Sequence, residues 1–113
     1  MRLMAILFLL GSAVSASAYA DQKILDCNFN FGEIAQIQIF RSQNAYSFAL
    51  LTNTGRWLPL QSLSFESWKN RMIRFEYRGE RYEFFSSDGH DWRYKSFLGS
   101  STSPSIIGSA DCD

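Results

Sequence analysis

The chain has 113 residues, and its 11 Lys and Arg balance its 11 Asp and Glu to a formal net charge of zero. A chain of this length forms one domain at most, and the neutral balance excludes a strong electrostatic attraction to nucleic acid or to an anionic membrane. Aromatic residues make up 16% of the sequence, and each can bury about 150–250 Å² in a small core. We therefore predict a single domain with no nucleic-acid partner.

Residues 1–20 have the pattern of a secretory signal peptide. Arg2 precedes an apolar run over residues 3–10, and the Ala18–Ala20 segment matches an A-x-A cleavage site. As a helix the apolar run extends about 12 Å, which is too short for a hydrocarbon core of about 30 Å. The sequence predicts cleavage after Ala20, no membrane span, and export to a periplasm or out of the cell. The mature single β domain would comprise residues 21–113.

Cys27 and Cys112 are the two cysteines of the sequence. In an oxidising compartment two such cysteines are expected to pair, so we predict a Cys27–Cys112 disulfide that closes the chain. The residues before Cys27 argue against a lipid anchor, because a lipoprotein signal requires a small residue there and Asp26 is present.

The apolar residues after Asp21 follow a period of two, which is typical of β-strands. This alternation predicts strands over residues 25–31, 34–40, 45–52, 61–67 and 92–97. Pro59 cannot donate to a ladder, so residues 56–60 are expected at a sheet edge. Residues 67–70 predict a turn or a short helical turn.

Residues 71–85 predict a hairpin that reverses at Arg78-Gly79. This register opposes Arg74 with Glu83 and Glu76 with Arg81, and it leaves the other face apolar. The turn requires a positive φ at Arg78 if it is of type I′.

The C-terminal segment 98–113 is rich in Ser and Gly, and we expect the disulfide to bring Ile106 and Ile107 beside the first strand. Six to eight short antiparallel strands joined by tight turns predict an all-β meander. Closure at the C-terminal end favours a small up-and-down β-barrel, because a closed barrel has no exposed edges. The alternative is a two-sheet β-sandwich.

His90 is the one histidine of the chain, and it lies in the turn over residues 86–91 between Asp88 and Asp91. His90 could form a base–carboxylate pair with one of these two aspartates. The dipeptide Asp88-Gly89 is, however, also typical of a plain turn. A zinc site needs at least three converging ligands, and a hydrolase of the G-x-S-x-G type needs a motif that the chain lacks. We therefore predict no metal, no cofactor and no catalytic residue.

Trp57 and Trp68 are each expected near the end of a loop. Exposed loop aromatics can anchor a partner, and they can equally cap the open end of a small barrel. The binding surface that the sequence predicts consists of these two residues together with Asp88, His90 and Asp91.

The signal peptide, the compact β-rich domain and the terminal disulfide are similar in outline to small periplasmic lysozyme inhibitors. The serine-glycine-tyrosine loop signature of that family is absent, so the resemblance carries no residue role to this chain.

The function predicted from the sequence is an exported, non-catalytic module that binds a protein or a glycan. The alternatives are a carrier of a small apolar ligand and a small hydrolase or inhibitor-like protein of the periplasm.

Overall fold

The computed structural model describes residues 22–113, and the predicted signal peptide over residues 1–20 lies outside the described residues. The described chain is mostly β, with strands β1 (Gln22–Asn28), β2 (Ile34–Ser42), β3 (Ala45–Thr52), β4 (Gln61–Leu63), β5 (Met72–Tyr77), β6 (Glu80–Ser86), β7 (Trp92–Leu98), β8 (Ile106–Ser109) and β9 (Asp111–Cys112). A short helix, α1 (Phe65–Lys69), lies between β4 and β5. Nothing in residues 22–113 forms a helix with the length and apolar character needed to cross a membrane.

The strands form two antiparallel sheets. The first sheet has the order β4-β3-β2-β1-β9, and the second has the order β5-β6-β7-β8. Residues 106–112 run from the second sheet into the first, and we call this stretch the corner strand. At the other edge of both sheets, no ladder joins β4 to β5 within residues 22–113, and we call this gap the open seam.

The closed barrel predicted from the alternating pattern is not found in the described residues, and the strand order fits the two-sheet alternative. The described strands number nine, above the predicted six to eight, because β8 and β9 form in the Ser- and Gly-rich segment 98–113. The seam stays open because the chain leaves the sheet between β4 and β5 to form α1.

Ser64 explains why α1 interrupts the strand predicted over residues 61–67. Its backbone is extended, and its side-chain oxygen accepts a hydrogen bond from the N–H of Ser67, which is the geometry of a helix N-cap. The strand therefore ends at Leu63, and Phe65, which was expected within the strand, lies on α1 with 60% of its surface exposed.

The β5–β6 hairpin is confirmed in the predicted register, with Arg74 opposite Glu83 and Glu76 opposite Arg81. Its turn at Arg78-Gly79 has φ values of 52° and 82°, as a type I′ turn requires. The first charge pair forms, because Nε of Arg74 lies 3.2 Å from Oε2 of Glu83. The Arg81 guanidinium instead donates to carbonyl oxygens in the loop that follows β7.

The corner strand confirms one prediction and corrects another. The Sγ atoms of Cys27 and Cys112 are 2.00 Å apart, so the predicted disulfide is present. A disulfide suggests an oxidising, extracellular or periplasmic setting. The predicted docking of Ile106 and Ile107 beside β1 is wrong, since Ile107 lies opposite Lys95 of β7. The chain changes sheets between β8 and β9, so only the second of these short strands reaches β1.

Aromatic rings fill the core between the sheets. Phe29 stacks on Tyr94 with ring centroids 4.3 Å apart, and Phe48 lies 5.9 Å from Phe75 of the other sheet. An added Cβ at Gly108 would lie 2.6 Å from the Tyr94 ring, so only glycine lets this ring lie against β8.

Two tyrosine hydroxyls attach the β1–β2 connection to the second sheet. The Tyr94 hydroxyl accepts from the backbone N–H groups of Asn30 and Phe31, at 3.1 and 3.0 Å. The Tyr82 hydroxyl accepts from the N–H of Glu33 at 3.3 Å and donates to the Glu80 carboxylate at 2.7 Å. Burial, followed by the contact with Glu80, raises the pKa of Tyr82, so this hydroxyl keeps its proton and its donor role.

Candidate functional site

A row of aromatic rings crosses the open seam, and Trp68 of α1 lies at its centre. The Trp68 ring is 5.8 Å from Tyr46 of β3 and 6.1 Å from Trp92 of β7, and it is stacked with both. Phe65 extends the row, with its ring 6.2 Å from that of Tyr46. We call these four residues the seam row. The seam row connects the two sheets across the open seam, where no strand ladder joins them within residues 22–113.

Arg71 joins the seam row to the loop over residues 86–91. Its guanidinium carbon lies 4.3 Å above the Trp68 ring, and Nη1 donates to the Trp68 carbonyl oxygen at 2.6 Å. The Arg71 carbonyl accepts from the N–H of Ser86 at 3.0 Å, and Nε would lie 3.8 Å from a Cβ at Gly89. Arg71 therefore contacts Trp68 through its guanidinium and the start of the loop through its backbone carbonyl.

The Asp88 carboxylate organises this loop. Its Oδ1 accepts from the backbone N–H groups of Asp91 and His90, each at 2.8 Å, and from the Ser86 hydroxyl at 3.1 Å. The hydrogen bonds from the N–H groups of Asp91 and His90 lower the pKa of Asp88 from 3.8 to about 2. The carboxylate is therefore charged at neutral pH and serves as the acceptor that shapes the turn.

The structure brings four of the five predicted site residues to one region. Trp68 lies in the seam row, and the exposed residues Asp88, His90 and Asp91 belong to the loop that begins at the hydrogen bond between Ser86 and Arg71. These side chains therefore share one end of the open seam.

Trp57 lies elsewhere. It forms an isolated bridge with Leu51, whereas the seam row contacts β3 at Tyr46. Five residues of extended strand separate these positions by about 17 Å. Trp57 is 46% exposed and belongs to a different part of the first sheet.

Three residues of this region were not singled out as site residues from the sequence. Phe65 and Tyr46 were expected within the strands over residues 61–67 and 45–52, and Arg71 at the start of the hairpin over residues 71–85. Ser64 is the signal that could have identified the helix, because serine directly before a segment with an acidic residue in its first turn, here Glu66, is a typical N-cap. The stacking of the rings depends on contacts between both sheets, which the alternating pattern does not encode.

The described residues hold no group of three His, Cys, Asp or Glu side chains that could bind a metal. A cleft of about 650 Å³ lies on the second sheet, lined by Arg81, Phe97 and residues 99–102 among others. The Arg81 guanidinium is 5.0 Å above the Phe97 ring and donates to carbonyl oxygens of the 99–101 loop. The Nε and Nη2 donors of Arg81 are therefore engaged within the fold, and the seam row remains the stronger candidate site.

Comparisons of the chain with family models, with curated proteins and with solved structures find no match in any of the three. The outline resemblance to small periplasmic lysozyme inhibitors is thus not accompanied by a family match. Any role for the seam row has to be argued from its own geometry.

Proposed function

We propose that the mature domain is an exported, non-catalytic binding module that recognises a protein or a glycan in the cell envelope or outside the cell. The observation that carries this proposal is Phe65, whose ring is 60% exposed although it ends a row of packed aromatic side chains. Large aromatic residues are typical anchors of binding surfaces. The signal-peptide pattern of residues 1–20 and the Cys27–Cys112 disulfide support export.

The neighbours of Phe65 support its role as an anchor because they are already fixed. Trp68 is stacked between Tyr46 and Trp92, and Arg71 lies over its ring. A surface that is ordered before binding loses little side-chain entropy when a partner arrives. The carboxylates of the 86–91 loop add acceptors beside this apolar surface, a combination that suits polar groups at the rim of a contact.

Two other functions have less support. An apolar carrier needs space between the sheets, but ring pairs such as Phe29 with Tyr94 and Phe84 with Trp92 occupy it, at 4.3 and 4.6 Å. A hydrolase would have to rely on His90, which is exposed beside a carboxylate that already holds the turn.

The test compares Phe65→Ala with Leu98→Ala as immobilised baits in one envelope extract. Leu98 is a matched control because it is 57% exposed and lies at the end of β7. We expect Phe65→Ala to lower capture of the bound species at least tenfold, a loss of about 1.4 kcal/mol, and Leu98→Ala to leave it unchanged. Protease or glycosidase treatment of the extract then separates a protein partner from a glycan.

Equal capture by wild type and Phe65→Ala would contradict the assignment of the site. Far-ultraviolet circular dichroism of both variants provides the folding control, since Phe65 is exposed on a short surface helix and its truncation should leave both sheets intact.

A further inference from the structure

β5 is the longest of the four strands that end a sheet in the described chain. It has six residues, whereas β8 has four, β4 has three and β9 has two. Its ladder runs to β6, and within residues 22–113 no second strand pairs with it. A strand edge of this length offers a row of backbone donors and acceptors to another strand.

The hairpin geometry determines which backbone groups of β5 face outward. The N–H of Ser86 donates to the carbonyl of Arg71, and hydrogen-bonded pairs in an antiparallel ladder recur every second residue. The odd-numbered residues of β5 are therefore bonded to β6. The even-numbered residues, Arg74 and Glu76 among them, direct their backbone groups toward the free edge.

The side chains of Arg74 and Glu76 carry opposite charges on the exposed face of this strand. The Arg74 side chain is 69% exposed, and Glu76 is exposed as well. The two residues are two positions apart, so they lie on the same face of the sheet and beside the same free edge.

These charges select one register for pairing between two copies of β5. A twofold axis relates the two copies, and outward-facing residues must oppose each other. One register sets Arg74 against Arg74 of the second copy, and another sets Glu76 against Glu76. The register between them opposes Arg74 with Glu76 twice. Opposite charges across a ladder stabilise the pairing and like charges destabilise it, so only this register is favoured.

We propose that the protein forms a twofold-symmetric dimer through β5, with Arg74 of each copy opposite Glu76 of the other. In this register Phe75 lies opposite Phe75 of the second copy, and Ile73 lies opposite Tyr77. The apolar faces of the two second sheets then continue into one another, and the two four-stranded sheets become one sheet of eight strands. β5 borders the open seam, but this contact uses none of the four residues of the seam row and does not depend on the proposed binding function.

The test measures the association of the exported, disulfide-bonded protein by sedimentation equilibrium from micromolar to millimolar concentration. We expect wild type to approach twice its monomer mass. Arg74→Glu and Glu76→Arg each replace two attractive pairs by two repulsive ones, so each variant alone should dimerise at least about tenfold more weakly. An equimolar mixture of the two variants restores opposite charges at both positions and should recover the dimer.

Arg74→Glu also removes the ion pair with Glu83, which could weaken dimerisation by disturbing the fold. Recovery of the dimer in the mixture would show that the variant is still folded and that the charges across the interface caused the loss. Arg93→Glu is the matched control. It makes the same charge reversal on the exposed side of β7, away from the free edge, and it should leave dimerisation unchanged. A wild type that stays monomeric at millimolar concentration would overturn the proposal, and so would single variants that associate as wild type does or a mixture that fails to recover.

Discussion

The two edges of this fold are joined by different means. At the corner strand, backbone ladders run to β7 and to β1, and the Cys27–Cys112 disulfide adds a covalent link. At the open seam, no ladder joins the sheets within residues 22–113, and the chain crosses through α1, where Trp68 stacks with its neighbours Tyr46 and Trp92. The corner therefore depends on the backbone and a covalent bond, and the seam depends on three stacked rings.

This difference indicates where a substitution can change binding without unfolding the domain. The corner strand tolerates few substitutions that disturb its backbone, because its hydrogen bonds to β7 and to β1 both depend on a fixed register. A seam covered by a five-residue helix presents side chains whose truncation leaves both ladders intact. Exposed positions on α1, Phe65 above all, are therefore the ones at which the proposed binding surface can be tested by substitution.

Removing the disulfide is the change with the largest expected effect. The double variant Cys27→Ser/Cys112→Ser should lower the free energy of unfolding by about 4–5 kcal/mol, because the cysteines are 85 positions apart and a long loop is released in the unfolded chain. Urea denaturation measures the loss, and hydrogen exchange should rise most in β9 and β1. A loss below about 1 kcal/mol would mean that the ladders alone hold the corner.

Trp68→Ala tests the open seam, and its effect is again measured as a change in the free energy of unfolding. Truncating this half-buried ring leaves Tyr46 and Trp92 without their common neighbour, and we expect a loss of about 2–4 kcal/mol in the free energy of unfolding. Trp57→Ala is the matched control, since this ring is 46% exposed and should cost less than about 1 kcal/mol. Equal losses for the two variants would contradict the role given to the seam row.

The smallest expected effect concerns the loop beside the seam. The folded-state pKa of Asp88 is lowered to about 2, so its contribution to stability is present above its ordinary value of 3.8 and is lost as the pH falls toward 2. Asp88→Asn, which keeps the side-chain oxygen but not the charge, should flatten the decline of Tm between these pH values. Thermal unfolding followed at several pH values measures this slope, and an unchanged slope would contradict the assignment.

The sequence predicts the strands well where one face is apolar and the turn chemistry is explicit. The β5–β6 hairpin follows from Arg78-Gly79 and from the two cross-strand charge pairs, of which Arg74 with Glu83 forms. The disulfide follows from the number of cysteines and the predicted compartment. These features depend on neighbours along the chain or on a single long-range pair.

The open seam was not predictable in the same way. The alternation through Leu63 and Phe65 favours a strand, but the Ser64 cap starts a helix, so the chain leaves the sheet at that point. The seam row brings together residues from β3, α1 and β7, whose contact depends on how the two sheets face each other. A pattern of period two assigns each residue to a face and says nothing about its partner on the opposite sheet.

The position of the corner strand also has a consequence for the timing of folding. It is the final strand pair in the described chain. Its β8 pairs with β7 and its β9 pairs with β1, so the first and last strands have to meet before the first sheet is complete. Contacts between residues so distant in sequence form late, because the chain entropy of closing that loop opposes them. When the N-terminal residues become available first, as they do during synthesis, the set of ladders therefore stays incomplete until residues 106–112 are available.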